Sequence, residues 1–205
     1  MSVTSIEGSS FDLGIKLEFE DGSPFYCDNQ SLLYNAAQTQ IFARISNLES
    51  YEIPSTVQSF SFGVFAGYSG LRTINFKPDS QLSSISYELF SGCINLQEFI
   101  FPNTITSIGV NGFQGCNSLR VLYLPDNLIE IAKSGFANCE GLTEVHFKNV
   151  TKINDAFGGC TALETIIFEG TQRTILYKSF SGCTNLKTVI SVSYTHLTLP
   201  TTERV

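Results

Sequence analysis

An α/β solenoid, built mostly of short parallel β-strands with short helical or 3₁₀ turns, is the fold class this sequence predicts. Three observations predict it. The phrase Phe-x-x-Cys-x-x-Leu-x-x-h-x-h, with h apolar, begins at Phe90, Phe113, Phe136, Phe157 and Phe180, at intervals of 23, 23, 21 and 23 residues. Self-similarity at such a period marks an array in which each repeat buries its apolar face only against its neighbours. Within each copy the stretch from the Leu onward alternates apolar and other residues, as in Leu119 to Leu124, and Pro125 then ends it because proline cannot donate to a ladder. Upstream of that stretch lies a turn such as Asn111 to Leu119, whose Phe and Cys stand three residues apart. That spacing suits one helical or 3₁₀ turn, too short to persist without neighbouring coils.

In chain order, residues 1–50 read as an atypical first repeat that caps the open end of the array. There Ile15 to Glu20 and Phe25 to Cys27 flank Asp21-Gly22-Ser23-Pro24, a turn-rich break that could close a hairpin. Residues 51–192 are the solenoid proper, of about six repeats. Its first copy is degenerate: Phe60, Phe65, Leu71, Ile74 and Phe76 keep the pattern, but Tyr68 takes the cysteine slot. The expected strands are Leu71 to Phe76, Leu96 to Phe101, Leu119 to Leu124, Leu142 to Phe147, Leu163 to Phe168 and Leu186 to Ser191, stacked as one continuous sheet. The pairs Leu82 and Ile85, Ile105 and Ile108, Leu128 and Ile131, and Val150 and Ile153 predict a second extended segment on another side of each coil.

The fixed letters read as core. Phe65, Phe90, Phe113, Phe136, Phe157 and Phe180 form one expected column, and Leu96, Leu119, Leu142, Leu163 and Leu186 another. Cys93, Cys116, Cys139, Cys160 and Cys183 form a third, with Cys27 outside the pattern. Parallel side chains pointing inward seldom reach the torsion a disulfide needs, so these are expected to be reduced thiols packing as small hydrophobes. Without Cys-x-x-Cys pairs or histidine companions, no metal site is expected.

Composition narrows function by exclusion. A formal charge of -7 would repel a phosphate backbone, and no run of Lys or Arg offsets it locally, so nucleic acid is not an expected partner. No stretch approaches the roughly 18 apolar residues of a membrane span, and the N-terminus lacks the charged and apolar regions of an export signal. His146 and His196 are the only histidines. His146 lies beside Glu144, but no nucleophile, phosphate loop or oxyanion donor is placed with it, so it reads as a solvated strand histidine and the chain as no enzyme. No cofactor is implied. Asn29-Gln30-Ser31 and Asn149-Val150-Thr151 are glycosylation sequons only if the chain is exported by a eukaryote.

Strand residues that point away from the core line one face, in two columns. Asn75, Ile100, Tyr123, His146, Ile167 and Ile190 form the first; Thr73, Glu98, Val121, Glu144, Thr165 and Thr188 form the second. A run of Ile and Tyr facing solvent would mark a partner site, with Arg120, Lys148 and Glu169 at its rim. Such residues also favour strands whether or not anything binds.

The repeat resembles the BspA-like leucine-rich repeat family, whose units read roughly Ile-x-x-x-Ala-Phe-x-x-Cys-x-x-Leu-x-x-h-x-h-Pro-x-x-h, over about Ile53 to Ser191. Ala156 keeps the family alanine before Phe, while Leu89, Gly112, Gly135 and Ser179 depart from it. Asn127 holds the asparagine-ladder slot of ordinary leucine-rich repeats once, with Thr104 and Val150 expected there in neighbouring copies. The resemblance implies a right-handed horseshoe with its turns on the convex side. It further implies a protein-binding module of a cell-surface or adhesion protein that binds through its concave β-face; a structural spacer with no specific ligand is the alternative. After Val189 the repeat stops, and residues 193–205, Ser193-Tyr-Thr-His-Leu-Thr-Leu-Pro-Thr-Thr-Glu-Arg-Val205, look like a non-native read-through tail.

Overall fold

The computed structural model of the chain describes residues 22–170 and 175–192. Short strands recur once or twice per coil and stack into ladders that run along the array. One face is formed by β4 (Ser50–Ile53), β6 (Thr73–Phe76) and β8 (Glu98–Phe99), then by β10 (Val121–Tyr123), β12 (Glu144–Phe147), β14 (Thr165–Phe168) and β16 (Thr188–Ser191). A second face carries β7 (Ser84–Ile85), β9 (Ser107–Ile108), β11 (Glu130–Ile131), β13 (Lys152–Asn154) and β15 (Ile175–Tyr177) as one five-stranded parallel sheet.

At the N-terminal end β1 (Phe25–Cys27), β2 (Leu32–Asn35) and β3 (Gln40–Arg44) form an antiparallel meander, and β3 pairs in parallel with β5 (Ser59–Phe60). The β1–β2 turn is closed by Asp28: its Oδ1 accepts from the Leu32 amide at 2.8 Å and its Oδ2 from the Tyr34 hydroxyl at 2.9 Å. The expected partner of Phe25–Cys27 across Asp21 to Pro24, and the tail 193–205, lie outside the described residues.

The Phe column is a stack of rings. Successive centroids from Phe65 to Phe180 lie 5.4, 5.2, 5.0, 5.1 and 5.4 Å apart with interplanar angles of 18° or less. Burying one such side chain contributes about 1.5–3 kcal/mol. Phe65, Phe90, Phe113, Phe136 and Phe157 are fully buried, as are Cys93, Cys116, Cys139, Cys160, Leu96, Leu119, Leu142 and Leu163. In the last coil Phe180, Cys183 and Leu186 are partly buried and pack against this core from one side. All six cysteines are free thiols. Each repeat cysteine donates to the carbonyl of the preceding coil's Phe: Cys93 to Phe65 at 3.0 Å, Cys116 to Phe90 at 3.2 Å, Cys139 to Phe113 at 3.1 Å. Tyr68, in the degenerate copy, reaches back likewise, its hydroxyl donating to the Leu48 carbonyl at 3.0 Å.

Three expectations need correction. Among the described residues there is no helix, and the turns on the far side of each coil are neither α nor 3₁₀. Around Phe90 the amides of Glu88, Phe90 and Gly92 donate forward to Val110, Gly112 and Gln114 of the next coil, while those of Leu89, Ser91 and Cys93 bond three residues back. A helix would commit every amide to its own segment; here alternate amides knit the coils together. The backbone enforces this with left-handed residues two before and two after each Phe, such as Glu88 (φ 52) and Gly92 (φ 73), or Ser134 (φ 57) and Asn138 (φ 56).

Second, the strand face is not one continuous sheet, because β8 and β10 share no ladder pair. The break falls where one coil turns two phenyl rings inward, Phe99 and Phe101, 4.6 Å apart and both edge-on to Phe113 at 4.8 and 5.6 Å. The next coil offers Leu122 and Leu124 at those positions. Third, Val150 does not occupy the asparagine slot. The register offset is 23 at Val121↔Glu144 but 22 at Glu130↔Lys152, so one residue is deleted between them and Asn149 falls opposite Asn127. Both side chains donate to carbonyls of the preceding coil, Asn127 to Asn103 at 2.7 Å and Asn149 to Asp126 at 2.8 Å.

Candidate functional site on the strand face

The first outward column is uneven. Asn75 is exposed, with its amide on Ser50 Oγ at 3.3 Å. Ile100 and Tyr123 are 69% and 67% exposed, Ile190 is exposed, and Ile167 is half-buried. In the second column Glu98, Val121 and Thr188 are exposed, while Thr73, Glu144 and Thr165 are half-buried. The ladder aligns Tyr123, His146, Ile167 and Ile190 across consecutive coils, and Val121, Glu144, Thr165 and Thr188 beside them. Ile100 and Tyr123 both stand at the break in the sheet.

That break opens a groove of about 780 Å³, lined among others by Ile100, Arg120, Tyr123, His146, Lys148 and Glu169. A smaller hollow of about 420 Å³ adjoins it around Asn75, Lys77, Asp79 and Asn103 and shares Ile100 as a wall. The larger groove is lined by apolar residues such as Ile100, Val121 and Tyr123 together with the charged Glu98, Arg120, Lys148 and Glu169.

His146 is not the solvated residue its sequence suggests: its side chain is 14% exposed and clamped on both nitrogens. Nε2 lies 2.5 Å from Glu144 Oε1 and Nδ1 lies 2.8 Å from Glu169 Oε1, while the Tyr123 ring packs on it at a centroid distance of 4.4 Å. Burial by itself pulls the imidazole pKa down, but the hydrogen bonds to Glu169 and Glu144, aided by their charges, hold it above its ordinary value. Glu169 was expected only at the rim. The signal for its role is its spacing of 23 residues from His146, one coil further on and two positions past the strand partner.

Elsewhere on this face the cations are tied to acids of the preceding coil. Arg72 pairs with Glu49 at 3.2 Å, Lys77 with Glu52, Lys148 with Asp126 at 2.7 Å and Lys187 with Glu164 at 3.3 Å. Exposed pairs of this kind contribute about 0.2–1 kcal/mol each, less at high salt. Arg120 instead donates to the carbonyls of Asn117 and Leu119 at 2.9 and 3.3 Å.

For chemistry the arrangement offers a base flanked by two carboxylates, with no Ser, Thr or Cys hydrogen-bonded to His146 among the described residues. Cys93 and Cys116 are poor nucleophiles, since burial pushes the first up to about 12 and the second well above the ordinary thiol value. Among the described residues no group of three or more His, Cys, Asp or Glu side chains could hold a metal ion, and no helix is long and apolar enough to cross a membrane. At the sequon of Asn149 the side-chain amide is engaged with Asp126.

Comparison with known proteins fits this geometry. Residues 35–156 and 154–198 match the profile of the BspA type leucine rich repeat region, in six copies. Among solved structures, the pneumococcal vaccine antigen PcpA is similar at 22% identity and a TM-score of 0.74, over 83% of this chain and 44% of that one. A leucine-rich repeat protein from Bacteroides ovatus is similar at 24% identity and a TM-score of 0.61, over 82% of this chain and 46% of that one. A leucine rich repeat protein of T. pallidum, TpLRR, is similar at 20% identity and 0.63, over 79% of this chain and 86% of that one. The chain thus spans less than half the length of the first two, and all three likenesses speak to fold. No curated protein matches significantly.

Proposed function

Because the chain belongs to the BspA-type leucine-rich repeat family, a family of interaction and scaffold repeats, we propose that it is a non-enzymatic module that holds a protein partner on its strand face. The observation that carries this reading is the placement of Ile100 and Tyr123, two large apolar side chains left exposed in the lining of one groove. A soluble surface gains nothing by exposing such residues in one groove, whereas a partner that covers them gains about 25 cal/mol for each Å² of apolar area removed from water. A place at the cell surface, and a part in adhesion, belong to the same proposal and are supported by the family resemblance. So does the division into a cap at 1–50, the solenoid at 51–192 and a tail at 193–205.

The test is a double substitution, Tyr123→Ala with Ile100→Ala. Both side chains are exposed, so the circular dichroism spectrum and the unfolding midpoint stay at wild-type values. A partner captured by the wild-type chain on a protein array is expected to lose at least about tenfold in affinity to the variant, the usual size of an interface hot spot. Undiminished binding would place the partner elsewhere and leave the repeats as a spacer.

A further inference from the structure

Building on that reading of the strand face, we propose that the groove between β8 and β10 receives an extended, lysine- or arginine-bearing segment of a partner protein. One large apolar side chain of that segment lodges between Ile100 and Tyr123. Three observations lead there. β8 and β10 share no ladder pair, which leaves main-chain groups of both strands outside the sheet ladder where the groove opens, and an extended segment lying across the groove can hydrogen-bond to such groups. Ile100 and Tyr123 supply exposed apolar surface in the lining of that groove, a seat for one side chain.

The third observation is charge. The cations around the groove are already engaged, Lys148 by Asp126 and Arg120 by two backbone carbonyls. The Glu98 carboxylate is exposed and has no hydrogen bond or ion pair among the described residues. Glu144 and Glu169 share one imidazole between them. Hydrogen bonds to neutral carbonyls leave the charge of Arg120 in place, yet Glu98, Asp126, Glu144 and Glu169 outnumber Arg120 and Lys148, so the groove and its margin are net negative, like the whole chain, and a partner's ammonium or guanidinium groups complement them.

His146 links this site to pH. The groups that face it are Glu144 on its own strand, Glu169 beyond β14, Tyr123 on β10, and at greater remove Lys148 with Asp126, and Arg120. Protonated, the imidazole donates to both carboxylates. Neutral, it carries one N–H and leaves one carboxylate unmatched. The groove therefore grows more negative as the proton leaves, and the hold on a cationic segment strengthens.

The experiment is a fluorescence-anisotropy titration of the full chain with two short labelled peptides. One has a central phenylalanine between alternating lysines; in the other, glutamates replace the lysines. The lysine peptide is expected to bind at least about fivefold more tightly, several weak surface ion pairs adding together. Its affinity rises as the pH climbs above about 6.5 and through the raised pKa of His146, and that dependence is lost in His146→Gln. Glu98→Gln narrows the preference between the two peptides. Equal affinities, a preference for the glutamate peptide, or no binding by either overturns the proposal. If the captured partner still depends on Tyr123 and Ile100 while the peptides bind alike, the face stands and its choice of cations falls. If neither depends on them, both readings fall together.

Discussion

A histidine held by two carboxylates behaves differently from one in solvent, and His146 is where a single residue shows in the whole chain's stability. Its folded pKa is raised, the hydrogen bonds to Glu169 and Glu144 outweighing the opposing effect of burial. A raised folded value means that the stabilisation is fully present below the unfolded pKa of about 6.5 and is lost as pH rises through the folded value. Urea midpoints measured between about pH 5.5 and pH 8.5 should therefore fall with pH in the wild type, and His146→Gln should flatten that slope. An unchanged slope would contradict the clamp. Glu144 could be read from the sequence as a neighbour two residues away on the same face. Glu169 is harder to read, because it arrives from one coil further on, two positions past the strand partner Ile167, and only its spacing of 23 residues from His146 marks it. The thiols divide similarly: their place in the core follows from the repeat, but their acceptor, a main-chain carbonyl 24 to 28 residues away, leaves no mark in the letters.

At the scale of one coil, the strand segments are legible because alternation has a period of two and proline ends it. The far turn is not, since Phe and Cys three apart suit a helical turn as well as the linked turns found. What separates the two is the left-handed slot two residues after each Phe, filled by Gly67, Gly92, Gly115, Gly159 and Gly182 but by Asn138 in one copy. A helix has no use for a left-handed residue there, so this glycine column was the overlooked signal. At Gly92 an added Cβ would stand 3.4 Å from the Gly67 Cα as well as straining the backbone. Gly92→Ala should accordingly cost about 1–2 kcal/mol, while Asn138→Gly, which relieves a strained slot, should be neutral or mildly stabilising in the same urea titration. The break between β8 and β10 was equally hidden. Phe99 and Phe101 fit the alternating pattern as well as any apolar pair, and only the size of two rings against the aliphatic pair Leu122 and Leu124 tells them apart.

Across the whole molecule, fixed and variable letters divide the work. Phe, Cys and Leu columns stack coil upon coil and set the family and the solenoid, which is why those were readable from the repeat alone. The outward letters carry what distinguishes this chain: an exposed Ile100 and Tyr123, a clamped His146, and one acid, Glu98, without a partner among the described residues beside a gap in the sheet. On the proposed function, partner choice rests with residues that packing leaves free to vary. The most direct test is a backbone amide NMR titration of the full chain with the lysine peptide. Shift changes concentrated in residues 97–103, 120–126, 144–148 and 169 are the predicted result, and changes confined to the opposite sheet, β7 to β15, would contradict the account.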